Sequence, residues 1–444
     1  MAYGIHCQSY SYLPDPLYHY RIHRNSITGT EKNSPRPLDI IDINLLTAEE
    51  IRRYDRLAQY LPQLENIFNR HLTSALLKSG AEHYGEARRK MAGYLQIPGI
   101  SKQFKENISA LAEAEIPLSV IIAVYNTAPW LACCLDSLLA QSTDLFEIIC
   151  INDGSTDGTV DMAEACCRGD NRFRLITQAN GGVSAARNRG MAEARAPFVA
   201  FLDQDDMLHP QALEILYRMI CRDGADVSAF KIRFVPDNFA GDPAPERFDA
   251  EEVVRDAVFS RAPTADFFRD RKGGPIYIWN KLYRREAIAG VTFPPGVQPA
   301  EDTVFTMKML LTVKNMVSTD ARLLYYREND ASVSKQGITE KYVRSHALAA
   351  EEMERFFADL TNADESLRRH LAFYLTRFIF KSLVSQPLRK IFGPDRRQRV
   401  EAARDYAAAL YRSGALKPEL LGRKKALACR LYFGRHDRLA KFLV

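Results

Sequence analysis

The stretch of residues 196–206 constrains the fold more than any other part of this chain. An uninterrupted apolar run over residues 198–202 leads directly into Asp203, Asp205 and Asp206. An unbroken apolar run of this kind is typical of a strand buried on both faces of a parallel sheet. Ligands of such sheets bind just beyond the carboxyl ends of the strands. The three carboxylates therefore fall where a ligand is expected.

Asp203 and Asp205 form a candidate metal site. Residues two positions apart in an extended chain point to the same side, so these two carboxylates are expected to converge while Gln204 faces away. Clustered carboxylates raise each other's pKa unless a cation lies between them, and Mg²⁺ or Mn²⁺ prefers such oxygen ligands. The alternative is a polar turn before a helix predicted over residues 210–221, where negative charge suits the helix dipole.

Residues 116–206 alternate short apolar runs with helical patterns. We expect strands over residues 118–124, 146–151, 173–176 and 198–202, and helices over residues 129–139, 157–167 and 183–194. Repeated β–α units imply a parallel sheet that is covered by helices on both faces. The strands of such a sheet end at one edge, so the polar residues that follow them are expected to meet there.

Three further residues are candidates for a ligand site at that edge. Tyr125 follows the first strand and offers a ring for stacking, while Asp153 follows the second and can accept a hydrogen bond from a base or a sugar hydroxyl. Arg187 is expected to project towards the same edge from the helix after the third strand, unless it forms only a surface ion pair. Neither a Gly-x-Gly-x-x-Gly fingerprint nor a P-loop is present, which argues against those two nucleotide-binding modes.

The composition is that of an ordinary globular protein, and 444 residues suffice for about three domains. The eight cysteines lack zinc-ligand spacing, so reduced thiols and a cytoplasmic location are expected. Residues 1–25 lack the apolar core of a signal peptide, and no apolar run is long enough to cross a bilayer. Residues 1–115 become helical in pattern from a capping box predicted at Thr47-Ala48-Glu49-Glu50, and they carry no recognisable chemistry.

The positive charge is concentrated at the C-terminal end. From Glu365 onward there are 19 Lys and Arg against 6 Asp and Glu, whereas the whole chain has a net charge of only +5. A basic region of this kind predicts an anionic partner, for which a membrane surface, a nucleic acid and an anionic glycan are the alternatives. Residues 371–381 are either a core helix or a segment lying in a membrane interface. We find no aromatic-basic motif and expect no nucleic acid.

Four motifs in order resemble those of the inverting glycosyltransferases of family 2. They are Val120-Ile121-Ile122-Ala123-Val124-Tyr125-Asn126, Asn152-Asp153-Gly154-Ser155-Thr156-Asp157, Gly182-Val183-Ser184-Ala185-Ala186-Arg187-Asn188 and Phe201-Leu202-Asp203-Gln204-Asp205-Asp206. The resemblance covers residues 116–336 and implies an α/β class with the GT-A nucleotide-diphospho-sugar transferase fold. Its parallel-rich sheet is expected to be flanked by helical regions at residues 1–115 and 337–444.

The resemblance also implies how the donor is bound. Tyr125 and Asp153 are expected to hold the nucleotide base, Ala123 to belong to the nucleotide-sugar site, and Arg187 to support the nucleotide. Asp203 is implied to meet the ribose, and Asp205 to bind the metal on the donor diphosphate. Gln204 replaces the commoner Ser or Ala of the motif. We expect this change, on the solvent side, to matter little.

The acceptor side is expected further along the chain. Residues 273–284 resemble the acceptor segment of the family, and the pair Glu301-Asp302 corresponds to its acidic pair. Inverting transfer needs a base for the acceptor hydroxyl, and we predict Asp302 for that role with Glu301 as the orienting residue. The alternative is that the pair only opens a helix, whose dipole would lower the pKa of the aspartate. Arg327 or Lys335 is a further candidate, for neutralising the leaving group.

Together these observations predict a metal-dependent, inverting glycosyltransferase with Mn²⁺ or Mg²⁺ as cofactor. The resemblance implies that the donor is a UDP-sugar and that the acceptor is a growing surface polysaccharide or a lipid-linked oligosaccharide. The predicted location is the cytoplasm, with peripheral binding to an anionic membrane through the basic region as an option. The alternatives are a nucleotidyltransferase on a related sheet and an inactive glycan- or membrane-binding scaffold.

Overall fold

The computed structural model describes residues 38–53, 57–114, 116–241, 246–261, 277–328, 338–361, 363–390 and 396–444. Its centre is a nine-stranded sheet of order β3-β2-β1-β4-β8-β6-β9-β5, with β7 paired to β9. The strands are β1 Leu118–Val124, β2 Phe146–Asn152, β3 Phe173–Thr177, β4 Phe198–Asp203, β5 Met207–Leu208, β6 Val227–Pro236, β7 Val258–Ser260, β8 Lys281–Arg284 and β9 Met316–Glu328. The neighbouring strands β3, β2, β1 and β4 are parallel to one another. The sheet becomes mixed where β8 pairs antiparallel with β4.

Helices lie before, within and after the sheet. In chain order they are α1 Asp39–Arg53, α2 Leu57–Ser79, α3 Tyr84–Met91, α4 Lys102–Glu113, α5 Ala128–Leu139, α6 Thr159–Cys166, α7 Val183–Glu193, α8 Ala212–Asp223, α9 Ala250–Arg255, α10 Glu301–Thr312, α11 Glu340–Ala358, α12 Glu365–Ile379, α13 Gln386–Lys390, α14 Arg396–Arg412, α15 Arg423–Phe433 and α16 Asp437–Leu443. The predicted strands and helices of residues 118–223 are all present, with ends that differ by at most two residues.

The N-terminal helices share one hydrophobic core with the sheet. Residues such as Phe68 and Tyr94 belong to the same buried cluster as the strand residues Ile121 and Phe201. The predicted capping box at Thr47 is wrong, because Thr47 lies inside α1 and its hydroxyl donates to the carbonyl of Ile43. The helix therefore begins at Asp39, about two turns before the residue that we took as its start.

The C-terminal helices form a second core, which α10 joins to the sheet. Val304 and Met307 of α10 pack into this core, while Phe305 and Met309 of the same helix pack into the first. Within α12, Leu371, Leu375 and Ile379 are buried, so residues 371–381 are a core helix rather than an interfacial one. Within the described ranges we find no helix whose length and hydropathy suit a membrane-spanning segment.

Candidate active site

The polar residues that follow the parallel strands do meet at one edge of the sheet. β1 ends beside both β2 and β4, with Val124 opposite Asn152 and Ala123 opposite Asp203. Tyr125 follows at once and is 46% exposed, so its side chain is accessible to a ligand. The sequence prediction of a polar edge is therefore confirmed by the register of the strands.

The acidic segment is a tight turn and does not continue the strand. The amide N–H of Asp206 donates to the carbonyl of Asp203 at 3.1 Å, which closes the turn around Gln204 and Asp205. The extended geometry that we predicted for Asp203 and Asp205 is thus wrong, although both side chains remain partly exposed at the same tip. Asp206 is buried, and burial raises the pKa of its carboxyl well above the usual range.

Gln204 does not simply face the solvent. Its side-chain carbonyl accepts the amide N–H of Tyr125 at 2.8 Å, which ties the acidic turn to the end of β1. Our expectation that this residue is a solvent-side change is therefore wrong. The apolar pattern of the sequence does not indicate the hydrogen bond between Gln204 and Tyr125, because this bond forms only when residues 203–206 make a turn.

Asp153 is buried and organises the loop before α7. Its carboxylate accepts the amide N–H groups of Gly181 and Gly182 at 2.9 and 2.8 Å, and the side-chain amide of Gln178 at 2.8 Å. Gly182 has φ 84°, a left-handed conformation that glycine adopts without steric cost. Asp153 therefore fixes the entry to α7, and in this structure both of its oxygens already accept hydrogen bonds.

Arg187 is the centre of the site. One terminal nitrogen donates to Glu301 at 3.0 Å and to Asp302 at 2.8 Å, and the other donates to Asp203 at 2.7 Å. The guanidinium is buried, so the alternative of a surface ion pair is wrong. One cation thus joins the acidic turn after β4 to the acidic pair at the start of α10.

The packing of α7 on the sheet sets the position of Arg187. A Cβ atom at Gly190 would lie 2.3 Å from the Ile121 side chain, so only glycine allows the helix to approach β1 this closely. Asn188 on the same helix exchanges two hydrogen bonds with the backbone of Phe293, at 2.8 and 2.9 Å. Ser184 donates to the carbonyl of Val297 at 3.3 Å. These contacts hold the segment that leads into α10.

Burial and the shared cation set the protonation of Asp302. Burial opposes a charge on Arg187, yet the carboxylates of Asp302, Asp203 and Glu301 raise the pKa of the guanidinium above its ordinary value. Burial raises the pKa of Asp302 to about 8, although Arg187 acts to lower it. The pair does open a helix, as the alternative had it, but the pKa of Asp302 is raised by burial rather than lowered. A carboxyl with a pKa near neutrality suits a general base.

Sequence reasoning missed Lys281 on β8. Its ammonium is buried and donates to Asn280 Oδ1 at 2.7 Å and to the carbonyl of Tyr277. Burial lowers the pKa of Lys281 to about 7, and the negative charge of Asp302 acts in the opposite direction. Lys281 lies in the segment that resembles the acceptor segment of the family. It follows Trp279 and Asn280 in the sequence, and this local pattern does not indicate that the lysine is buried.

Arg327 stabilises the acidic turn. Its guanidinium donates to the carbonyl of Asp205 at 3.0 Å and to that of Asp237, and its amide N–H donates to Asp206 at 3.0 Å. The side chain is buried, and its role in neutralising a leaving group stays a prediction. The other candidate, Lys335, lies outside the described residues.

The donor set at the acidic turn fits a divalent cation that is shared with a ligand. Asp203 and Asp205 supply hard carboxylate oxygens, and one oxygen of Asp203 is already bonded to Arg187. Among the described residues no group of three or more His, Cys, Asp or Glu side chains is arranged to hold a metal. Mg²⁺ commonly binds through one or two carboxylates plus substrate phosphates, so two carboxylates suffice only if a ligand completes the shell.

Comparison with known proteins agrees with this geometry. The family model "Glycosyl transferase family 2" matches residues 119–291. The Bacillus subtilis (strain 168) protein EpsH, whose name describes a glycosyltransferase, is 31% identical over 258 residues, which are 57% of this chain and 72% of EpsH. The chain belongs to glycosyltransferase family 2. As a family 2 member it is a glycosyltransferase, and the alternative of a nucleotidyltransferase is set aside.

Other similar proteins extend the comparison. The Minor teichoic acid biosynthesis protein GgaA of Bacillus subtilis (strain 168) is 25% identical over 62% of this chain and 64% of its own length. The crystal structure of S. aureus TarS 1-349 in complex with UDP-GlcNAc has a TM-score of 0.56 and 21% identity, covering 74% of this chain and 90% of that one. The likeness to TarS is one of fold, and the family 2 domain has the predicted GT-A architecture.

Proposed function

We propose that this family 2 glycosyltransferase moves a sugar from a UDP-sugar to a hydroxyl of a surface polysaccharide or a lipid-linked oligosaccharide, with inversion. The observation that carries the proposal is the bridge through Arg187, which sets the acidic turn at Asp203 beside the candidate base Asp302. We infer from this arrangement that the donor diphosphate and the acceptor bind close enough together to share one anomeric carbon. TarS, whose fold is similar, has been crystallised with UDP-GlcNAc, and GgaA is named for teichoic acid biosynthesis.

In this reaction Asp302 takes the proton of the acceptor hydroxyl. The acceptor oxygen bonds to the anomeric carbon, and the bond from that carbon to the donor diphosphate breaks, so that UDP leaves with the electron pair. A single displacement from the opposite face inverts the anomeric configuration. Glu301 accepts from Arg187 at 3.0 Å beside Asp302, and we assign it the orienting role.

The donor is held by the turn and by the end of β1. Tyr125 stacks on the base, Asp153 supports the base through the loop that it fixes, and Ala123 lines the pocket from β1. Asp203 meets the ribose and Asp205 meets the diphosphate. A divalent ion bound to these two carboxylates would supply positive charge against the diphosphate. Arg187 supports the nucleotide indirectly, because it holds Asp203 in place.

The decisive experiment separates the base from the donor site. With nucleotide-sugars screened for release of UDP, Asp302→Asn should lower kcat by about a hundredfold or more, the usual scale for loss of a general base, with UDP affinity unchanged. Asp153→Ala should weaken UDP binding first, because the loop before α7 loses three hydrogen bonds. Titration calorimetry with UDP measures the second effect. Equal loss of UDP affinity in both variants would contradict the assignment of roles.

A smaller effect is expected at Gln204. Gln204→Ala leaves the amide of Tyr125 without its acceptor, so the stacking ring is less well held. A lost hydrogen bond of this kind costs about 1 kcal/mol, which corresponds to UDP binding roughly fivefold weaker. The exposed Gln103 on α4 provides the control, since Gln103→Ala should leave UDP affinity unchanged. Wild-type affinity in Gln204→Ala would mean that the contact has no part in donor binding.

A further inference from the structure

The outward face of α15 combines cations with an exposed leucine. Ala428, Cys429 and Tyr432 are buried against the C-terminal core. On the opposite face, at helical spacing, lie Arg423, Leu427 and Arg430, and the Leu427 side chain is 48% exposed. Such a face buries nothing within the described part of the chain, although it carries an apolar side chain between two charges.

The charges around this face are largely uncompensated. From Arg423 to Lys441 there are seven Lys and Arg residues and one acid, Asp437, which pairs with Arg404 at 2.6 Å. All seven cations are exposed. Among the described residues the structure gives no acidic partner to the following five: Arg423, Lys424, Arg430, Arg435 and Arg438. The surface around α15 therefore attracts anions.

The helix is held rigidly on its inner side. The hydroxyl of Tyr432 donates to the carbonyl of Val400 at 3.0 Å, and the carbonyl of Tyr432 accepts from Arg404 at 2.8 Å. The helix is already ordered before a partner binds its outer face, so little conformational entropy is lost on binding.

We propose that the α15 surface, defined as Arg423, Lys424, Leu427 and Arg430, binds the anionic headgroups of a membrane. Cations around an exposed apolar residue are the pattern of an interfacial helix, in which the cations meet the headgroups and the apolar side chain enters the acyl boundary. A nucleic acid would satisfy the charges, but Leu427 can neither stack on a base nor form a hydrogen bond. The surface includes none of the residues of the acidic turn or of α10, and its role does not depend on the identity of the donor.

The charge contribution is tested on the full chain with the triple variant R423Q/K424Q/R430Q. Each cation near an anionic surface strengthens binding about fivefold, so the partition coefficient into vesicles of phosphatidylglycerol and phosphatidylcholine should fall about a hundredfold at low salt. The control R89Q/K102Q/K105Q removes the same charge from exposed positions on α3 and α4 and should bind as the wild type does. Equal loss in the two triple variants would overturn the proposal, because net charge alone would then explain the binding.

The apolar contribution separates lipid from other polyanions. Leu427→Ser should weaken vesicle binding several-fold while leaving unchanged any affinity for heparin or for duplex DNA, which have no apolar interior. Binding should also fall as salt rises, since the Debye length shortens from about 30 Å at 0.01 M to about 3 Å at 1 M. Thermal unfolding checks that each variant is folded. Tight binding of duplex DNA with no binding to vesicles, or vesicle binding without salt dependence, would refute a membrane role.

Discussion

Asp205→Asn should reduce sugar transfer by about a thousandfold while leaving the fold intact. The side chain is partly exposed at the tip of the turn, and the turn itself is held by backbone contacts to Asp203 and Arg327 that the substitution does not touch. A metal ion that neutralises a developing diphosphate contributes several kcal/mol to transition-state stabilisation, which corresponds to about three powers of ten in rate. Loss of one of the two carboxylates should remove most of it.

Two measurements distinguish this effect from a general loss of charge. Wild-type UDP affinity should increase when Mn²⁺ or Mg²⁺ is added, and that increase should be absent in Asp205→Asn. Asp320→Asn on β9 is the control, because the Asp320 side chain is almost fully exposed and pairs with Lys231 at 3.8 Å. Its rate and metal response should match the wild type. Full activity of the wild-type enzyme in excess EDTA would exclude the metal site.

The sheet and its polar edge could be predicted because they depend on local patterns. Apolar runs such as residues 118–124 and 146–152 specify buried strands, and β–α repetition specifies their parallel order. The residues that follow each strand then meet at one edge without further information. The same reasoning reached Asp302 only through the resemblance to family 2, since α10 joins the site from 115 positions beyond Arg187.

What could not be predicted depends on contacts between distant segments. The bond from Tyr125 to Gln204 spans 79 positions, and the burial of Lys281 depends on how β8 inserts beside β4. The protonation of Asp302 likewise depends on burial that no local pattern reports. A helix-opening aspartate exposed to solvent would have a lowered pKa, whereas the same residue under packed side chains has a raised one.

Arg187→Gln is expected to destabilise the protein and to inactivate it. The substitution leaves Asp203, Glu301 and Asp302 close together without their common cation. Removing one partner of a buried ion pair costs about 3–5 kcal/mol of unfolding free energy. Urea unfolding at pH 8 measures this loss. Arg174→Gln is a matched control, because Arg174 also bridges two carboxylates, those of Glu147 and Glu193, at a site away from the acidic turn.

The pH dependence of stability and of the reaction rate shows whether Arg187 tunes the pKa of Asp302 or only stabilises the fold. Without the guanidinium, Asp302 should hold its proton to higher pH in the folded state than in the unfolded chain, so its contribution favours folding below the unfolded pKa of about 4 and is lost as pH rises through the raised folded pKa. The raised pKa keeps Asp302 protonated at neutral pH. The residual rate of Arg187→Gln should therefore continue to increase at alkaline pH values where the wild-type rate no longer increases. Arg174→Gln should lose stability with an unchanged pH–rate profile. If the profile of Arg187→Gln also stays unchanged, Arg187 holds the fold together but does not tune the base.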